Sequence, residues 1–259
     1  MKEMISLHVD APVLTKSWMI LKPPQALLEV KPQSYYPKSV MIGPLYKYLE
    51  TSLISNYKAL CVNKFMERRG ISAVEDLIQN LTFDQPHELR RIYNLNLLQS
   101  EIQWLQLLVT VDTVFIHEYL LFDGYFDTIY SNDHTLQVRI DRDLLLIGNQ
   151  IPMSFLKKLV NNRDFSLDHL KATVRSFIMK QNPFFSHDPS FYKGKHFKID
   201  LSDCQHLLDA LYVSCTETFK ESTRQSESDQ ILHILYILHM LYKCDRITII
   251  GNVLHKCVL

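Results

Sequence analysis

Residues 97–122 read LLQSEIQWLQLLVTVDTVFIHEYLLF, and this run decides the fold class. Leu105, Leu108, Phe115, Tyr119 and Phe122 recur at three-, four- and seven-residue spacing, which puts them on one face of a helix. The run contains neither Pro nor Gly, so nothing in it interrupts helical hydrogen bonding. At about 1.5 Å per residue such a helix spans a whole small domain. Asp112 lies on the same face, between Leu108 and Phe115. A carboxylate on an apolar stripe must find a partner or keep its proton, so the pattern predicts a buried ion pair or capping bond there.

Working outward, residues 51–69 carry Leu53, Tyr57, Leu60, Cys61 and Phe65 at helical spacing. Residues 72–81 read as a short helix, with Ser72 as cap and Glu75 completing a capping box. A polar break follows at Asp84-Gln85-Pro86. Before residue 51 the chain changes character: five prolines fall between 20 and 46, which predicts extended chain and turns. On the other side, 140–160 reads as two segments split at Gly148-Asn149-Gln150-Ile151-Pro152, with Pro152 opening the second. Asp141-Arg142-Asp143 reads as a salt-bridged helix start. Helices are expected over 166–180 and 204–212, a loop over 182–200, and a short strand at 247–250. The division expected is a flexible segment 1–18, a helical domain 19–215, a polar linker 216–229, and an apolar helix with its tail, 230–259. The fold class is mainly α, a single helical domain with a Pro-rich extended N-terminal segment and at most minor β.

The composition narrows the chemistry. Lys+Arg and Asp+Glu are both 28, so no bulk positive charge draws nucleic acid, and none is expected as a partner. At 47% hydrophobic and 22% charged, the chain is globular in composition. Its 259 residues suffice for a core without disulfides or metal. The six glycines are scattered and form no phosphate-binding loop or nucleophile elbow. The five cysteines are odd in number and show no CxxC, which fits reduced thiols in a cytoplasmic protein. No signal peptide is visible, and Ile231–Tyr242, although very apolar, is too short to cross a membrane.

No motif completes a catalytic or metal site. His117-Glu118 has Leu121 where a zincin would need its second histidine. Cys204 and His206 would diverge on a helix, as would His233 and His239. Phe191–Lys198 interleaves aromatic and basic residues and is read as a surface or partner-contact loop. No cofactor, metal or small-molecule substrate is expected.

The order of the motifs resembles a plant family known as domain of unknown function 247, the UPF 0481-type proteins. Tyr36, Pro37, Ile42, Gly43 and Pro44 match its "YxPxxVSIGP" opening. Asp112, Phe115 and Glu118 match its "xDxxFIxE" helix. Asp143, Asn149, Gln150 and Pro152 match "IxxDLLLLENQIP", and His206, Asp209 and Tyr212 match "HLLDLLY". The resemblance covers about 20–212, and residues 213–259 carry no motif of the family. It implies a mainly helical plant protein with no established enzymatic activity. Some grass members are linked to pollen–stigma self-incompatibility, and many members are longer and end in a transmembrane helix. This chain departs in having Gly148 where the family has Glu, and in ending at Leu259, which suggests a truncated member. The expected function is non-catalytic protein interaction or recognition, with the motif residues structural and specificity in loops 182–200 and 213–230. The alternatives are an enzyme using Asp112, Glu118 and Asp143, and a nonfunctional remnant.

Overall fold

The computed structural model describes residues 19–30, 32–82, 86–96, 98–121, 134–160, 166–182 and 204–222. The fold is mainly helical, and no strand occurs among these residues. In chain order the helices are α1 (Gln25–Val30), α2 (Ser52–Arg69), α3 (Val74–Thr82), α4 (Pro86–Ile92), α5 (Gln99–Leu121), α6 (His134–Asp143), α7 (Met153–Leu159), α8 (Leu167–Gln181) and α9 (Leu207–Ser222). Two 3-10 turns, Pro32–Ser34 and Pro44–Leu49, interrupt the N-terminal segment.

Helix α5 is the axis. It packs against α2, α3, α4, α7 and α8 and against the 3-10 turn Pro44–Leu49. Encirclement explains why its C-terminal half is buried on nearly every side and not along one stripe. By length and hydropathy Glu101–Leu121 could cross a membrane, but 72% of that window lies inside the protein, as befits a core helix. Helices α8 and α9 pack on each other. The core falls into a large cluster from Val40 to Cys215, a second joining the N-terminal segment to α4 and α5, and a third between α2, α3 and α5.

Several sequence expectations need correction. The Pro-rich segment has turns, as expected, in the form of the two 3-10 turns, but it also holds helix α1. Pro24 precedes α1, where its missing amide costs nothing, and its carbonyl accepts the Leu28 amide at 3.3 Å. Asp141-Arg142-Asp143 ends α6 and does not start a helix. The amides of Leu145 and Leu146 bond back only three residues, tightening the chain into turns. The helix expected over 204–212 is α9, which starts at Leu207 and runs on to Ser222, through the first part of the stretch read as a linker. Cys204 and His206 precede it, so the helical argument separating them does not apply. Helix α4 was not anticipated. On α2 the buried face is Ile54, Tyr57, Lys58, Cys61, Val62 and Phe65, whereas Leu53 is exposed. Residues 1–18, 183–203 and 223–259 lie outside the described residues, and with them most of the loops assigned specificity, the apolar helix 230–243 and the strand 247–250.

Candidate functional site

Between the two 3-10 turns runs an irregular strap, residues 38–43. Among the described residues it has no strand partner to satisfy its amides. Side chains from distant helices and turns do so instead. Asp143, at the end of α6, accepts with one oxygen, Oδ2, from the amides of Lys38, Ser39 and Val40 at 2.9, 2.6 and 3.1 Å. Asn149 accepts from the Ile42 amide at 2.6 Å and donates to the carbonyls of Val40 and Asp143. Asp112 accepts from the Gly43 amide at 2.7 Å. A buried backbone must be paired, and here three side chains replace a β-ladder.

Asp112 also meets the buried cation that its sequence position demanded. Lys58 of α2 donates to Asp112 Oδ1 at 2.6 Å, to Glu50 Oε2 at 2.5 Å and to the Met41 carbonyl. Three acceptors use all three ammonium protons. Glu50 is further held by Ser55 Oγ at 2.6 Å and by Lys47. Burial alone would raise the Glu50 carboxyl, but the charge of Lys58 and the bonds from Lys47, Lys58 and Ser55 hold it below its ordinary value. Burial pushes the Asp112 and Asp143 carboxyls up, against the pull of Lys58 and the Gly43 amide on the first and of the strap amides and Arg142 on the second.

The remaining motif residues frame this clamp. Gly43 has φ 70°, and a Cβ there would lie 3.0 Å from the Gln150 carbonyl and 3.1 Å from the Tyr93 ring, so only glycine fits. Pro44 opens the following 3-10 turn. Tyr36 packs edge-on against Tyr46 at 5.7 Å, and Pro37 and Ile42 are buried. Gln150 donates to the carbonyls of Leu144 and Leu146, accepts from the Leu208 amide at 3.2 Å, and receives the Tyr93 hydroxyl on its own carbonyl. Pro152 is the N-cap of α7. The His206 ring accepts the Asp209 amide at 3.1 Å, while the Asp209 carboxylate accepts the Gln205 amide at 2.8 Å, a variant of the capping box at the start of α9. Tyr212 lies half-buried on that helix. Phe115 meets Tyr57 edge-on at 5.9 Å and stacks on Tyr119 at 6.1 Å. Gly148, with φ 79°, sits in the left-handed region that favours glycine, and a Cβ there would press on the Leu21 carbonyl at 3.0 Å.

Asp112 and Asp143 share the strap, but Glu118 is elsewhere. It takes both carboxylate bonds from Arg68, at 2.5 Å, and lies 3.1 Å from His117 Nδ1, whose basicity burial reduces. Among the described residues no group of three His, Cys, Asp or Glu could hold a metal. A half-open cleft of about 280 Å³ between the end of α5 and the face of α8 is lined by Leu120, Ala172, Thr173, Ser176, Phe177 and Lys180, and none of the motif acids opens into it.

Sequence reasoning overlooked Lys58, Glu50, Tyr93 and Arg68. Lys58 was legible, since it falls in the series 54, 58, 61, 65 on the apolar face of α2 and complements the lone acid on α5.

A family profile described as plant protein of unknown function, DUF247, matches residues 20–246. The chain belongs to the DUF247 family. The match runs beyond the 20–212 covered by the motifs, as far as residue 246. A UPF0481 protein of Arabidopsis thaliana is 26% identical over 86% of the chain and 46% of its own length. A second UPF0481 protein of that plant is 26% identical over 78% of the chain and 38% of its own length. The DUF247 chain therefore spans less than half the length of these curated relatives. No solved structure matches it.

Proposed function

We propose that this DUF247 chain is a non-catalytic protein-interaction or recognition module whose motif residues build the scaffold. The observation that carries this reading is the employment of its acids. Asp112 and Asp143 are fully buried, and their described bonds run to Lys58, Arg142 and main-chain amides. A general acid or base needs an open approach to substrate, and these two have none. Buried thiols at Cys61, Cys204 and Cys215 support a reducing, cytoplasmic address.

The test pairs binding with turnover. Affinity capture from plant extract, followed by calorimetric titration of the purified pair, is expected to give a saturable complex of defined stoichiometry. Glu118→Gln should leave its affinity unchanged. Turnover of a metabolite mixture that disappears in Glu118→Gln or Asp112→Asn would instead establish the enzyme. A narrower role in pollen–stigma self-recognition, as linked to some grass members, requires binding that differs between allelic forms. Equal binding across forms would sink it.

The scaffold role itself makes Asp143 expensive to remove. Asp143→Ala leaves three amides without their acceptor, and we expect a loss of about 3 kcal/mol in denaturant unfolding. An unchanged midpoint would refute the role.

A further inference from the structure

Three consecutive main-chain amides, those of Lys38, Ser39 and Val40, converge on the single atom Asp143 Oδ2. Successive amides aimed at one point make an anion-binding concavity, because their partial positive charges concentrate there. Such a concavity persists without its anion only if the chain is held from elsewhere. Here it is. Asn149 grips the strap on both sides of Met41, through the Val40 carbonyl and the Ile42 amide, at 3.0 and 2.6 Å. Asp112 holds the Gly43 amide and Lys58 the Met41 carbonyl. Upstream, Arg142 Nη2 donates to the Gln33 carbonyl at 2.9 Å and Nη1 reaches the Tyr36 carbonyl at 3.5 Å. None of these bonds passes through the Asp143 carboxylate. Arg142 Nη1 also lies 3.0 Å from Asp143 Oδ1, so a guanidinium completes the site on the side away from the amides.

We infer that the turn at Lys38–Val40, together with Arg142, is a preformed carboxylate-binding site whose resident occupant is the protein's own Asp143 side chain. The site is separable from that side chain. Without it, the site takes a free monocarboxylate of matching size. Asp143→Ala removes one carbon and two oxygens, which are the heavy atoms of formate. Asp143→Gly removes one carbon more, and acetate restores the set. Tetrahedral sulfate, with more oxygens than the amides and the guanidinium can satisfy in a buried place, is a poorer occupant.

The experiment titrates the 259-residue Asp143→Ala chain with sodium formate and, at equal ionic strength, with sodium chloride or sodium sulfate. Thermal midpoint and far-UV helical signal are both followed. Formate is expected to raise the midpoint saturably, by about 3 °C at roughly ten times its dissociation constant, with chloride and sulfate doing less. Asp143→Gly should prefer acetate to formate. If Asp143→Ala does not fold in chloride, formate should restore its helical signal. Wild type, its site already filled, should not respond to formate beyond chloride. Equal effects of formate and chloride on the variant, or an equal formate effect on wild type, would overturn the inference. The carboxylate would then mould the turn and not merely occupy it.

Discussion

Lys58, Asp112 and Glu50 form a buried group that carries one net negative charge before Lys47 is added at its edge. Removing the cation strands two acids away from water. Lys58→Met is expected to cost about 3–5 kcal/mol in urea unfolding. Adding Asp112→Leu should recover part of that loss, because the stranded charge goes with it, and a double-mutant cycle reads the difference. Acid behaviour follows from Glu50. Its folded value is lower than the ordinary 4.5, so the folded protein binds fewer protons than the unfolded chain just below that pH. Its contribution is thus complete above pH 4.5 and is lost as the pH falls further. Asp112 and Asp143, with raised values, run the opposite way, favouring the fold as they take up protons. Comparing wild type with Glu50→Gln isolates the first effect: the stability gap between them should shrink as the pH drops below 4.5. At this scale the sequence announced that Asp112 needed a partner, because a charge on an apolar stripe cannot be left alone. It did not announce Asp143's partners, since amides belong to every residue and leave no mark in composition.

Elements were legible where their periodicity was internal. Helix α5 and helix α8, with its Ser166 cap accepting the His169 amide at 3.2 Å, follow their patterns closely. The failures share a cause. Helix α1 and the turn at Pro44 are too short to show a period, and Asp141-Arg142-Asp143, read as a helix start just before the apolar run 144–147, ends α6 instead. That run is buried by tertiary packing, which an apolar string alone does not assign to helix or turn. Gly43 links strap to turn in a conformation other residues resist. Gly43→Ala should destabilise by about 2–3 kcal/mol, combining backbone strain with the collision against Tyr93 and the Gln150 carbonyl, and thermal unfolding reads it directly.

On the scale of the whole molecule, α5 is shared by all three core clusters. No cluster can dissolve without exposing part of that helix. Unfolding should therefore be a single cooperative event, with far-UV dichroism and intrinsic fluorescence giving coincident transitions. Two resolved midpoints would mean that the N-terminal strap and α4 separate from the rest. The fold class was readable because residues 97–122 keep helical spacing over their whole length with neither Pro nor Gly, and the family because its motifs recur in order. The arrangement joining those motifs was not readable: Asp143 and Asn149 act on residues more than a hundred positions earlier. That distance has a consequence for how the sequence can change. The bonds of the strap are made to its backbone, which Lys38 offers whatever its exposed side chain happens to be. The text on one side of the clamp can therefore be rewritten there while Asp143 and Asn149 opposite cannot, and a saturation scan of the gene should find tolerance at 38 beside near-silence at 143 and 149.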